Sequence, residues 1–291
     1  VTEQPVATVR PPDPEAVRRL VAAATATDGT PPLNEAALRA LTHPDGERHA
    51  TLADGDELLG YGQLADDHVQ LVVHPRVRRR GHGTALLRAL AGDRDPRELR
   101  YWSFGDQPAA RAWAQRAGLI TERELLIMER SLTDPPPDAP EVPAGVSLRG
   151  YRPADADAVI DINARAFAHH PEQGAMDAAD LASRMAEPWY RDEDLLVATR
   201  DERLIGFHWT KRHDAELGEV YVLAVDPDAS SGGVGRALLG AGLAHLAGLG
   251  LRRVILYVEN DQPRVVDIYR RAGFVVAHRD VVLAAPEPSA P

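Results

Sequence analysis

"VDPDASSGGVGRALL", Val225 to Leu239, leaves an apolar run, turns at Asp226-Pro227, crosses three glycines and enters a helical pattern. A strand, a glycine-rich turn and a helix N-terminus together form an anion site. The first helical N–H groups lack intrahelical partners, and the helix dipole adds partial positive charge there. Glycines let a phosphate come close to the backbone. The spacing excludes a P-loop, because no G-x-x-x-x-G-K-[ST] is present, and "GGVGRA" does not fit G-x-G-x-x-G. On its own the stretch is equally readable as a strand–helix turn that holds nothing.

The same layout occurs earlier. "VHPRVRRRGHGTALL", Val73 to Leu87, places Pro75, Gly81, Gly83 and Leu86-Leu87 where the later stretch has Pro227, Gly233, Gly235 and Leu238-Leu239. Further on, "DQPAARAWAQRAGL" from Asp106 matches "DQPRVVDIYRRAGF" from Asp261. Two matches in the same order at nearly equal spacing indicate a tandem duplication. Between the copies lies "TDPPPDAPEVPAG", whose prolines suit neither helix nor sheet interior. This predicts a first domain over 1–132, a linker over 133–145, a second domain over 146–283 and a disordered tail over 284–291.

Each half reads as α/β, a mixed sheet flanked by helices. In the second, "AVIDINARAF" has helical spacing and "LLVATRDERLIGFHWTKR" reads as a hairpin around a polar turn. "EVYVLAVDP" reads as a strand, and "RVILYVE" as a buried strand without alternation. "GVGRALLGAGLAHLAGLG" and "QPRVVDIYRRAG" read as helices, the latter with proline near its start. "FVVAHRDVVL" closes the domain as a strand or hairpin.

Composition narrows the function classes. Of 291 residues 44% are hydrophobic, and the net charge is −11, which disfavours nonspecific nucleic-acid binding. The basic run "RVRRR" is too short to reverse that. There is no cysteine, so disulfides, thiolate metal sites and cysteine nucleophiles are excluded. The histidines show no metal-ligand spacing, and no metal is expected. The apolar runs are far short of a bilayer span and the N-terminal stretch has no apolar signal region, so the expectation is a cytoplasmic protein with no membrane partner.

With both copies in view, the chain resembles the GNAT family of acetyl-CoA-dependent N-acetyltransferases. The family's (Arg/Gln)-x-x-Gly-x-(Gly/Ala) signature is complete at Arg78, Gly81 and Gly83. At Ser230, Gly233 and Gly235 it lacks its leading residue. "IYRRAGF" is similar to the family's later helix and turn. "GFHWTKRH", "GEVYVLAVDP" and "LYVE" are similar to tandem members that acetylate the cysteinyl amine of cysteinyl-glucosaminyl-inositol.

The resemblance implies two tandem acyltransferase domains, acetyl-CoA as cosubstrate with one site per domain, and a small-molecule amine as acceptor. Fusion of two domains makes a monomer the expectation. The first donor site would use Leu71, Val72, Val73, Arg78, Arg79, Arg80, Gly81, His82, Gly83 and Thr84, the arginines facing the CoA phosphates. The second would use Leu223, Ala224, Val225, Ser230, Ser231, Gly232, Gly233, Val234, Gly235 and Arg236, with Gln262, Pro263, Arg264, Val265, Val266 and Asp267.

An attacking amine must lose a proton and the leaving thiolate must gain one. The resemblance implies Glu219 as general base and Tyr269 as general acid. By alignment Asp67 stands at the place of Glu219 and Ala114 at that of Tyr269, so the first half is expected to bind acetyl-CoA without turning it over. Because only the first half has the leading arginine, it is expected to bind acetyl-CoA more tightly. Glu35, Glu172, Lys211, Glu219 and Tyr257 are implied as acceptor contacts. For Glu35 a second reading stands beside this: an acid in a first helical turn behind Asn34 as N-cap. A tandem transferase for another amine or a protein N-terminus, and a non-catalytic acetyl-CoA sensor, remain the alternatives.

Overall fold

The structure is a computed structural model that describes residues 6–42, 46–138, 141–168 and 174–286. The chain folds into two compact units.

The first unit begins with β1 (Ala7–Val9), α1 (Pro14–Asp28) and α2 (Glu35–Ala40). Helix α1 starts where Asp13 accepts the Glu15 N–H at 3.0 Å and Pro14 presets φ, and it ends at Gly29 with φ +75°. Val17, Leu20 and Ala24 form its buried stripe and pack with Tyr61 and Val72 of the sheet. Then come β2 (Arg48–Asp54), β3 (Glu57–Ala65) and β4 (His68–Val73), an antiparallel meander in continuous register from Ala65↔His68 to Gly60↔Val73 across β3 and β4. α3 (His82–Ala91), β5 (Arg100–Ser103), α4 (Pro108–Ala117) and β6 (Ile120–Ser131) follow. Leu86 and Leu90 of α3 fill a core with Leu52, Leu59 and Tyr101.

The second unit repeats the order with β7 (Val146–Gly150), α5 (Ala156–Ala166), α6 (Ala178–Met185), β8 (Leu195–Arg200), β9 (Arg203–Arg212) and β10 (Leu217–Val225). It continues through α7 (Val234–Gly248), β11 (Arg253–Glu259), α8 (Pro263–Arg271) and β12 (Val275–Ala284). Phe207 and Trp209 pack with α5 residues Val159 and Ile162. Ile205 and Ala198 pack with Val234 and Leu238 of α7.

The units differ from the two continuous halves expected. From His278 on, β12 belongs to the first unit, with Glu259–Pro263, whereas Ile127–Ser131 of β6 belongs to the second. Val281, Val282 and Leu283 pair antiparallel with Ser103, Trp102 and Tyr101 of β5, and all three are buried. Leu132 donates its N–H to Arg252 O at 2.8 Å beside β11. The physical reason is nonlocal pairing: a strand's own pattern fixes its faces, not which edge accepts it. β11 also corrects the expectation of a strand buried without alternation. Val254, Leu256 and Val258 are buried while Tyr257 is exposed, so only one face meets the core. The described linker residues form neither helix nor strand. Of the expected tail, residues 287–291 lie outside the described residues, whereas Ala284 still ends β12.

Candidate active site

Each unit opens its sheet at one place. In the second, β10 and β11 pair in parallel from Leu217↔Arg253 to Glu219↔Ile255, and there the ladder ends. β10 continues to Val225 with β9 on its other side, Leu223 opposite His208, Ala224 opposite Phe207 and Val225 opposite Gly206. The backbone of Leu223–Val225 therefore flanks an opening between diverging strands. In the first unit β4 and β5 pair only at His68↔Arg100 and Val69↔Tyr101 before they part.

Past each opening the glycine turn leads into a helix. Gly232 and Gly233 both take φ +89° before α7, and Arg79 (φ +64°) and Gly81 (φ +86°) precede α3. Left-handed residues at a helix start gather backbone N–H groups into an anion-binding concavity. A Cβ added to Gly235 would stand 3.5 Å from Val225 Cγ2, so turn and strand approach closely. In the first unit Leu71, Val72, Val73, Arg78, Arg79, Gly81, His82, Gly83 and Thr84 line a cleft of about 720 Å³. Arg80 is exposed beside it. Trp102, Phe104 and Trp113 also line it. Their sequence signal was the aromatic run "YWSF" and the tryptophan of the α4 helix.

Arg78 lines the cleft and is also bonded to α1 and β4. Its Nη1 and Nη2 donate to Asp28 Oδ1 and Oδ2, each at 2.7 Å, and its Nε donates to Val73 O at 3.0 Å. It fastens the end of α1 to the turn after β4. The second unit makes the same fastening with opposite polarity. Arg165 of α5 donates to Asp226 at 2.9 Å and Asp228 at 2.7 Å, while Ser230 turns its hydroxyl onto Pro227 O. Arg165 thus makes in the second unit the fastening that Arg78 makes in the first.

The candidate acid–base residues lie in the second unit. Glu219 is buried, and its Oε2 shares a hydrogen bond of 2.7 Å with His213 Nε2. Directly after it, the register of β10 against β9 shifts between Val220 and Val222, a bulge at Tyr221. Lys211, the register partner of Glu219, is buried with its ammonium 4.6 Å from the Trp189 ring and 5.2 Å from Tyr221. Tyr269 is half-buried in α8, edge-on to Phe274 with centroids 5.8 Å apart. Desolvation pushes its phenol up to about 12, so it holds its proton at neutral pH. Gln262, Pro263, Arg264, Val265 and Asp267 lie at the start of α8, while Val266 turns its side chain into the core. Val234 and Ala224 are likewise buried and offer a ligand only backbone. Ser231 and Arg236 flank the glycines on either side.

The first unit differs at the matching positions. Asp67 lies in the β3–β4 turn, bonded to the Arg100 guanidinium and 2.8 Å from His68 Nδ1. Ala114 is buried in α4. The backbone supports the match of Ala114 with Tyr269, since Leu119 N bonds Ala114 O at 2.9 Å as Phe274 N bonds Tyr269 O at 3.0 Å. At Glu219 it corrects the alignment by one residue: the bulge at Tyr221 puts His68, which faces Ala65 and Arg100, at the register position where Glu219 faces Lys211 and Ile255, and Asp67 lies just before it.

Of the implied acceptor contacts, Glu219, Lys211 and Tyr257 belong to the second unit, Tyr257 being 46% exposed on β11. Glu172 lies outside the described residues. Glu35 opens α2 of the first unit behind Asn34, whose side chain accepts the Ala37 N–H at 2.8 Å. Sequence reasoning missed His213 and Trp189. Among the described residues no group of three or more His, Asp or Glu is placed to hold a metal, and no helix is long and apolar enough to cross a membrane.

Two strand–turn–helix cradles beside parallel strands that part, with Glu219 and Tyr269 of the second unit as candidate base and acid, fit a tandem acyl-CoA-dependent acyltransferase. The model of the acetyltransferase (GNAT) family matches residues 15–119 and 157–274, and the chain belongs to that family, whose acetyl donor is acetyl-CoA. Its relatives are more particular. It is 47% identical over 246 residues to the mycothiol acetyltransferase of Streptomyces scabiei, covering 82% of this chain and 80% of that one. To the mycothiol acetyltransferase of Thermobispora bispora it is 46% identical over 276 residues, 91% and 93% of the two chains. Among solved structures, a tandem GNAT protein from the clavulanic acid biosynthesis pathway shares the fold. Its TM-score is 0.74 at 19% identity, covering 99% of this chain and 100% of that one. A GCN5-related N-acetyltransferase from Sphaerobacter thermophilus matches with TM-score 0.71 at 25% identity, over 95% and 94% of the chains.

Proposed function

We propose that this enzyme transfers acetyl from acetyl-CoA to the cysteinyl amine of cysteinyl-glucosaminyl-inositol, the last step of mycothiol formation. The second unit turns over, and the first binds acetyl-CoA without catalysis. The carrying observation is the asymmetry of matching positions. Glu219 is buried with His213 as its bonded side chain and Tyr269 keeps its proton, whereas Asp67 lies in an open turn shared between Arg100 and His68, and Ala114 has no proton to give.

In this reading Glu219 accepts the proton of the acceptor ammonium, directly or through water. The neutral amine attacks the thioester carbonyl, and a backbone N–H of the strand Leu223–Val225 steadies the oxyanion. As the C–S bond breaks, Tyr269 protonates the sulfur, the nitrogen gives up its second proton to water, and the phenolate regains its proton from water. Lys211 and Tyr257 serve the acceptor as hydrogen-bonding groups for its hydroxyls. The acceptor itself rests on the named activity of the relatives.

The test is mass-spectrometric detection of acetyl transfer to cysteinyl-glucosaminyl-inositol beside a panel of other amines. Preference for another amine overturns the acceptor. No thiol release with any amine overturns the enzyme reading in favour of a sensor.

A further inference from the structure

The hairpin between β9 and β10 carries a residue whose place the proposed chemistry leaves unexplained. In the first unit the matching β3–β4 hairpin closes directly, with Ala65 opposite His68 across the Asp66-Asp67 turn. In the second, residues 213–216 form a longer loop with a fixed shape. His213 N bonds Leu217 O at 2.9 Å, and Asp214 Oδ1 accepts the N–H groups of Glu216 at 2.7 Å and Leu217 at 2.8 Å. That loop folds the His213 ring back onto Glu219, Nε2 to Oε2 at 2.7 Å. The imidazole is 31% exposed and the carboxylate only 7%, so the ring bridges a buried acid to water.

Resting on Glu219 as the base, we propose that His213 is a positioning residue for Glu219 and its proton exit. One carboxylate oxygen is held by the imidazole, which leaves the other for the acceptor. A proton leaves the acceptor N–H bond for the carboxylate and crosses the hydrogen bond to Nε2. The ring accepts at Nε2 because it stands as the Nδ1–H tautomer; the imidazolium then loses the Nδ1 proton to water, and exchange of the ring proton from Nε2 to Nδ1 through water restores the tautomer before the next turnover. The amine is left neutral, Glu219 is again ionised, and no other reactant is needed. Other charged groups near the pair are Lys211 opposite Glu219 on β9, Asp214 and Glu216 in the loop, and Arg253, the β11 partner of Leu217. The Lys211 ammonium faces the Trp189 and Tyr221 rings, and Arg253 pairs with Glu129. The imidazole is thus the one titratable side chain that the structure bonds to Glu219 among the described residues.

The experiment uses the full chain and the amine that the wild-type enzyme acetylates fastest. His213→Gln keeps a donor for the carboxylate but cannot pass a proton, and His213→Ala removes both. Expected for His213→Gln is about a tenfold loss of kcat at pH 6.5, with KM for acetyl-CoA unchanged. The loss shrinks to within about threefold at pH 9, where the α-amine already arrives neutral. His213→Ala should lose about a hundredfold and regain activity when imidazole is added. Unchanged thermal melting and acetyl-CoA binding by calorimetry establish that both variants fold. Wild-type activity and pH profile in His213→Gln overturn the relay, as does a His213→Ala enzyme that imidazole does not rescue. Glu219→Gln separates the two readings. If it is inactive while both His213 variants behave as wild type, only the present inference fails. If it stays active, or if the wild type acetylates no amine, the base assignment fails and the relay with it.

Discussion

In the first unit Gly62 of β3 stands under Leu90 of α3, and a Cβ added to Gly62 would meet Leu90 Cδ1 at 2.8 Å. In the second unit the bulk is on the other side. His208 of β9 lies against Gly242 of α7, and a Cβ at Gly242 would meet the imidazole at 2.2 Å. The ion pairs that fasten the first helix to the glycine turn are reversed in the same manner, Asp28 to Arg78 in one unit and Arg165 to Asp226 in the other. Volume and charge are thus balanced within each unit, by different residues. The proposed acid and base do not follow that rule. Glu219 and Tyr269 have no functional counterpart in Asp67 and Ala114, so what the two units share is a scaffold for the donor, and the chemistry lies in one copy.

The largest effect should come from the carboxylates. Glu219→Gln is expected to lower kcat by about 10²–10⁴-fold, the usual weight of a general base. Asp67→Asn should leave kcat within about twofold, since that carboxylate lies in a turn of the unit proposed not to turn over, held by Arg100 and His68. Thiol release followed at saturating acetyl-CoA compares them, and equal losses in both variants would end the assignment of catalysis to one unit. Tyr269→Phe comes next, with a loss of about 10–100-fold. With the phenol pushed up to about 12 by burial, no basic limb from Tyr269 should appear in the wild-type kcat profile up to pH 9.5. A limb near pH 8 that vanishes in Tyr269→Phe would contradict this.

Packing effects are smaller and concern stability. Gly242→Ala forces a methyl group into a buried ring that is itself fixed, since His208 Nδ1 donates to Leu238 O at 2.8 Å. Overpacking of this kind costs about 1–3 kcal/mol, seen as a fall of several degrees in Tm. Gly62→Ala should cost less, because the end of Leu90 can swing away. His208 also makes the second unit acid-sensitive. Burial pushes its imidazole down to about 4, and its Nε2 has no partner among the described residues. The folded state thus favours the neutral ring. Its contribution is full above the unfolded value of about 6.5 and is lost as pH falls toward 4, about 3 kcal/mol in all. Urea unfolding at pH 7 and pH 4.5 should show a shallower loss in a His208→Gly, Gly242→Leu double variant, which installs the first unit's arrangement. An unchanged pH dependence would remove His208 as its source.

Much of this was legible in the sequence because it is local. A glycine with positive φ, a proline at the start of a helix and a period of apolar residues each declare themselves within one turn or strand. The duplication made them legible twice. The rest depends on partners far apart in the chain. Nothing in "VVLA" at the end of β12 says that it pairs with Tyr101–Ser103, and nothing near Ser230 says that Arg165 has taken over the fastening. His213 was hidden for a related reason, because its distance to Glu219 is set by the shape of a loop rather than by spacing. The pairing of Arg78 with Asp28 was hidden likewise, because a motif position tells which residue is present and not which atoms it touches.

The smallest expected effect tests that last point. If Arg78 acts by holding α1 to the turn, Asp28→Asn and Arg78→Met should weaken acetyl-CoA binding alike, about two- to fivefold each. The double variant should be no worse than either, since both remove one pair. A ligand to phosphate would behave differently: Arg78→Met would lose much more than Asp28→Asn. Exchanging the charges, Asp28→Arg with Arg78→Asp, copies the polarity of the second unit and should recover most of the affinity in calorimetry on the full chain. Failure of the exchanged pair, with Arg78→Met far weaker than Asp28→Asn, would return Arg78 to the phosphates. Ser230 would then again mark the second unit as the weaker donor site.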